Sequence, residues 1–192
     1  MLEGLPAGIG RALSGIRAGL EKLVINDTEL AEVPETIVVT SSAFADGESL
    51  PDLDSEDGDG ASPPLQWSGV PPEAQMVALV IEDADSPTPY PLVHAIVWEL
   101  EGADGSLEQG AMPRVAEAGT SPSMGVNSYL RLGYLPPDPP PGHGAHRYAF
   151  QVFALSMKPA FETVAPGRTE LVDALRVYTL AKGMLIGTYE RE

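Results

Sequence analysis

Five polar side chains of this chain stand where they could do chemistry together. Asp83 and Asp85 close an apolar run, Met76–Glu82. His94 sits at the start of a second run, Val93–Leu100. His143 and His146, the other histidines, close a proline-rich stretch just before a third run, Arg147–Leu155. In an extended backbone a spacing of two puts both carboxylates on one side, and strand ends beside long loops are common places for sites. A simpler reading has each Asp capping a turn at Ser86-Pro87.

Three chemistries suit such a cluster. Asp-x-Asp with two His matches the ligands of a metal site. A His beside carboxylates can activate water for general acid–base hydrolysis. The same groups can line a pocket for a phosphate-bearing ligand, with His and Arg147 as donors. Gly-x-Ser-x-Gly and His-Glu-x-x-His are absent from the sequence. So are a phosphate loop ending in Gly-Lys-Ser/Thr and a Gly-x-Gly-x-x-Gly fingerprint.

The elements that must hold these residues are mostly strands. Thr36–Thr40 is β-branched, and Leu65–Trp67 follows Pro63-Pro64 as an edge or strand start. Met76–Glu82 and Val93–Leu100 read as central strands. Arg147–Leu155 alternates, with Tyr148, Phe150, Val152 and Ala154 on one face. Between the second and third runs lies a long irregular stretch, 101–145, rich in proline. Thr169–Lys182 reads as a helix capped by Thr169 and stopped by Gly183, and Met184–Tyr189 as a last strand. At the front, Leu2, Leu5, Ile9, Leu13, Ile16, Leu20 and Leu23 recur every three or four residues. They predict an amphipathic helix over 1–24, ahead of a β domain over 25–192. Its stripe must dock on its own domain or on a second copy, and the stepping from Ile9 to Leu23 favours a homodimer seam.

Composition narrows the partners. The 192 residues carry a net charge of −17. Between Val24 and Pro113 there are nineteen acids and no Lys or Arg. That argues against nucleic acid, which needs a basic face, and against docking on an anionic membrane. There is no cysteine and no run of about 18 apolar residues, so neither a disulfide framework nor a membrane span is expected. A cytoplasmic setting is the expectation. The acidic run Asp46–Asp59 reads as a solvated loop, because a calcium loop counted from Asp52 has Asp57 and Pro63 where Gly and Glu are required.

Five short motifs, in order, carry a resemblance: Ser62-Pro63-Pro64-Leu65-Gln66-Trp67, Asp83-Ala84-Asp85-Ser86-Pro87, His94, Gly133-Tyr134 and His146-Arg147-Tyr148-Ala149-Phe150. Over Thr40 to Tyr189 the chain resembles the phosphatidylethanolamine-binding protein family, in its bacterial and archaeal branch of Raf kinase inhibitor-like proteins. The resemblance implies an antiparallel β-sandwich with a helix near the C-terminus. It also implies a small anion pocket for phosphate, acetate-like anions or a phosphorylethanolamine headgroup. Asp83, Asp85, His94, His146 and Tyr148 would line that pocket, with Pro87 and the loop from Gly133 to Pro137 at its rim. The chain departs from the family pattern at Ala84, at Leu92 where an aromatic is usual, and at Pro136-Pro137 in the rim. A non-catalytic binding protein without cofactor or metal follows, with a regulatory, kinase inhibitor-like role by analogy. The alternative is a hydrolase or metal-dependent enzyme built on the same Asp/His cluster. An anion beside two carboxylates would be repelled unless a His or an Asp holds a proton, or the ligand brings an ammonium group.

Overall fold

The computed structural model describes residues 7–117, 119 and 121–191. Two antiparallel sheets pack face to face. The smaller contains β1 (Val38–Thr40), β2 (Leu65–Ser68) and β5 (Gly105–Leu107), in the order β1-β2-β5. The larger runs β6-β4-β3-β7-β8, built from β3 (Met76–Asp83), β4 (Leu92–Glu101), β6 (Ser123–Met124), β7 (His146–Leu155) and β8 (Thr179–Tyr189). Leu65 and Trp67 of the small sheet meet Leu79, Ile81, Phe150 and Val152 of the large one in the core between them.

The outer face of the large sheet is also buried, which explains why β3 reads as an unbroken apolar run rather than an alternating one. Met76, Ala78 and Val80 point away from the small sheet and into a second core. Helix α2 (Arg168–Tyr178) covers that face with Leu171, Val172 and Leu175. The helix starts at Gly167, whose N–H donates to the Glu170 carboxylate, rather than at Thr169. It ends at Tyr178, short of the expected Gly183. Residues 179–182 join the last strand because their backbone pairs with β7 from Leu155 to Phe153.

The N-terminal helix is shorter than the sequence predicts. Helix α1 covers Ala7–Leu13, and residues 1–6 of the expected span lie outside the described residues. The chain then extends and re-forms as two 3₁₀ turns, Leu20–Lys22 and Val24–Asn26. Gly19, at φ 103°, takes a left-handed conformation that no helix continues through. Leu23, Val24, Ile25 and Leu30 are buried in the second core. The expected helical stripe from Ile9 to Leu23 is therefore broken: Leu23 faces inward, while Ile9 and Ile16 are exposed. The boundary expected at 24/25 falls inside a continuously packed stretch.

The acidic run is not simply solvated either. Asp54 is buried, and burial pushes its carboxyl up to about 6 against one hydrogen bond from Gln109. Asp57 pairs with Arg191, and Asp46 accepts the Ile186 N–H.

Leu23→Ala is expected to lower unfolding free energy by about 2–5 kcal/mol, as other buried leucines do. Urea denaturation checks this, and a loss under about 0.5 kcal/mol, the surface range, would place Leu23 outside the core.

Candidate functional site

Topology makes the site. Strand β3 is antiparallel to both neighbours, so its last residue meets the first residues of β4 and β7. Asp83 pairs with Leu92 on one side and Tyr148 on the other. Cross-strand partners share a sheet face, and so do residues two apart. Tyr148 and His146 on β7, Leu92 and His94 on β4, and Asp83 therefore gather on the face turned toward the small sheet.

Above this strand end lies a cavity of about 230 Å³. Asp83, His94, Tyr148 and Tyr134 line its depth. Its walls include Leu92, Glu56, Arg114, Val115, Tyr129, Arg131, Leu135, Pro136 and Asp138. Two strapped loops make one wall: the Tyr134 N–H donates to the Pro113 carbonyl at 2.8 Å and the Ala116 N–H to the Leu132 carbonyl at 3.0 Å. Gly133, at φ 129°, lies against this contact, where a Cβ would overlap the Arg114 carbonyl.

Three of the expected site residues, Asp83, His94 and Tyr148, line the cavity. His146 does not. It is buried behind Asp83, with Nδ1 at 2.8 Å from Asp83 Oδ2 and Nε2 at 2.7 Å from His143 Nδ1. Asp85 is also absent from the lining. The strand stops at Asp83, so the alternation rule does not reach Asp85, and a turn carries it to the other side. There it accepts two hydrogen bonds from the Arg147 side chain, at 2.7 Å each, and an ion pair from Arg17 at 3.0 Å. Burial raises the Asp85 carboxyl, but these arginines outweigh it and hold it at about 2. Pro87 lies apart from the cavity. At the rim the register is one residue off, since Pro136 and Asp138 line it and Pro137 does not. Tyr129, Arg114 and Arg131 were not expected. They come from the irregular stretch, where no periodicity marks a facing direction.

The polar groups of the cavity differ in how they are satisfied. The Tyr148 hydroxyl is buried; the Asp138 backbone N–H faces its oxygen, and its own hydrogen has no acceptor among the described residues. His94 donates from Nδ1 to the Leu135 carbonyl at 2.7 Å, which leaves Nε2 for the cavity. Burial lowers its pKa below the ordinary value, against the opposing charge of Asp83. Glu56 pairs with Arg114, and Asp138 with Arg191. Arg131 lines the cavity and forms no ion pair with a described carboxylate.

The fold is a two-sheet sandwich with a small cavity at one strand end, lined by polar and apolar side chains alike. Its family follows from comparison: the family model described as "Phosphatidylethanolamine-binding protein" matches residues 40–190, and the chain belongs to that family. A UPF0098 protein of Aquifex aeolicus is 31% identical over 173 residues, covering 90% of this chain and 99% of that one. A UPF0098 protein of Chlamydia muridarum is 35% identical over 159 residues, covering 80% and 99%. Among solved structures, the phosphatidylethanolamine-binding protein homologue CT736 of Chlamydia trachomatis superposes with a TM-score of 0.72 at 33% identity, covering 82% of this chain and 99% of that one. Among the described residues no helix is long and apolar enough to cross a membrane, and no group of three or more His, Cys, Asp or Glu side chains is placed to hold a metal ion.

Asp85→Ala is expected to destabilise the fold by on the order of 3 kcal/mol, because it strands two arginines around a buried site. The pairing contributes fully above about pH 4. It is lost as pH falls through the depressed value of about 2. Urea denaturation at pH 7 and pH 2 checks both statements.

Proposed function

We propose that the chain is a non-catalytic receptor for a small anion, phosphate or a phosphorylated headgroup, held in the cavity between Tyr148, His94 and Arg131. The Tyr148 O–H, buried without an acceptor, carries this reading. A buried O–H without an acceptor costs about 1–3 kcal/mol, and an anionic oxygen placed in the cavity relieves that cost. Charge balance supports it. Once Glu56 is matched by Arg114, Asp138 by Arg191 and Asp83 by His146, Arg131 is, among the described lining residues, the cation left to face a ligand. A headgroup ammonium, where the ligand has one, would sit toward Asp83 and Asp138. The acid-rich surface suits a soluble headgroup better than one drawn from an anionic bilayer.

Donation to an anion requires a proton on His94 Nε2. Since burial holds His94 below its ordinary value of 6.5, binding takes up a proton at neutral pH. Affinity is therefore expected to rise as pH falls from 7.5 toward and below 6.5. Sulfate, whose charge is constant over that range, is the clean probe in isothermal titration calorimetry. His94→Asn should flatten the profile. Tyr148→Phe should weaken binding by about 10- to 100-fold, the equivalent of one hydrogen bond to a charged group, and Arg131→Ala should weaken it in the same direction. Sulfate and phosphate affinities indifferent to Tyr148→Phe and Arg131→Ala would remove the anion from this cavity.

A further inference from the structure

Behind the cavity three side chains stand in file. The His143 Nε2 atom is 2.9 Å from the Leu13 carbonyl, which can only accept, so Nε2 carries a hydrogen. The Ile16 carbonyl faces the same ring. His143 Nδ1 then meets His146 Nε2 at 2.7 Å, and His146 Nδ1 meets Asp83 Oδ2 at 2.8 Å. The other carboxylate oxygen, Oδ1, already accepts the Asp85 N–H at 2.8 Å. Three hydrogen bonds in file need three protons, and two neutral imidazoles supply two.

We propose that His143 is a positioning residue that obliges the Asp83–His146 pair to hold a third proton, so that the floor of the cavity carries no net negative charge. The proposal rests on the anion-receptor reading and names the residue that makes it electrostatically workable. With its Nε2–H spent on Leu13, neutral His143 offers only an acceptor at Nδ1. His146 must donate to it from Nε2. The bond from His146 to Asp83 then needs its own proton, as imidazolium on carboxylate or as imidazole on carboxylic acid; either form is neutral overall. Without the acceptor at 143, His146 turns to the simpler state: Nδ1–H to a carboxylate, Nε2 bare, and a full negative charge beneath the ligand.

The surroundings favour this placement. His94, Tyr148 and Asp138 face the pair from the cavity, and Arg17, Asp85, Arg147 and Glu21 from the opposite side. Burial and the positive charge of Arg17 disfavour a charge on His143, which leaves the extra proton to the bond between His146 and Asp83. The N-terminal segment fixes the outer end. Arg17 donates to the His143 and Ala145 carbonyls, and a Cβ at Gly10 would overlap the Pro141 carbonyl, so α1 lies tight on this loop.

Nitrogen-15 NMR of the histidine rings in the full, ligand-free chain at neutral pH tests the placement without any ligand. His146 Nε2 is expected to be protonated, with a downfield proton on the bond to Asp83. In His143→Leu, which fills the volume but accepts nothing, Nε2 should be bare. His143→Asn, whose amide oxygen can stand in for Nδ1, should restore it. In sulfate titrations His143→Leu should lose about tenfold in affinity at neutral pH and recover as pH falls, while His143→Asn should follow the wild type. A bare Nε2 in the wild-type protein overturns the proposal even if no variant folds. So do ring signals and a sulfate pH profile unchanged by His143→Leu. The expected ring signals with no sulfate binding in any variant would support the proton placement and overturn the anion reading alone.

Discussion

Three acids at the end of β3 are buried, and each is met by partners that distant parts of the chain bring to it. Glu82 accepts from Arg168 at the start of α2, from Gln151 of β7 and from the Val24 N–H. Asp83 takes His146, and Asp85 takes Arg147 and Arg17. A buried carboxylate without a partner costs several kcal/mol, so these pairings gather α2, β7 and the N-terminal segment around one strand end. Apolar burial alone would tolerate many arrangements of these elements. The acids select the one in which every charge is met.

The same constraint leaves an open cavity rather than a salt-bridged plug. Two of the cavity's carboxylates pair with residues outside its lining, Asp138 with Arg191 and Asp83 with His146, and Glu56 pairs with Arg114. The cavity therefore keeps its volume, with a tyrosine hydroxyl in its depth and an arginine at its wall. Preorganised donors of this kind bind without first breaking internal bonds. The file from Asp83 through His146 and His143 to Leu13 ties that floor to α1, a region the family model, which begins at residue 40, does not include.

Much of the framework is local and could be read along the chain. Apolar runs that turned out to be β3, β4 and β7 stand out because each is continuous enough to bury two faces. Asp83, His94 and Tyr148 could be placed because they sit on those strands, where alternation fixes direction. Asp85 could not: one residue beyond the last strand pair, the backbone turns and its side chain leaves the face that a spacing of two implies. His146 keeps the predicted face, but Asp83 stands between it and the cavity, and depth along a face leaves no trace in spacing.

The N-terminal stretch divides along the same line. Of its period of three and four, Leu23 is buried while Ile9 and Ile16 are exposed. Whether that burial comes from a second copy or from the chain's own outer core depends on how Gly19 bends the path and on Val24 and Arg17 finding Glu82 and Asp85. Tyr129 and Arg131 are the extreme case, since the stretch from 101 to 145 has almost no regular structure to orient it. Its side chains take their direction from contacts with residues far away in sequence. Periodicity records what a short segment must bury; the partners that satisfy it, and the charges left facing a ligand, exist only once distant segments meet.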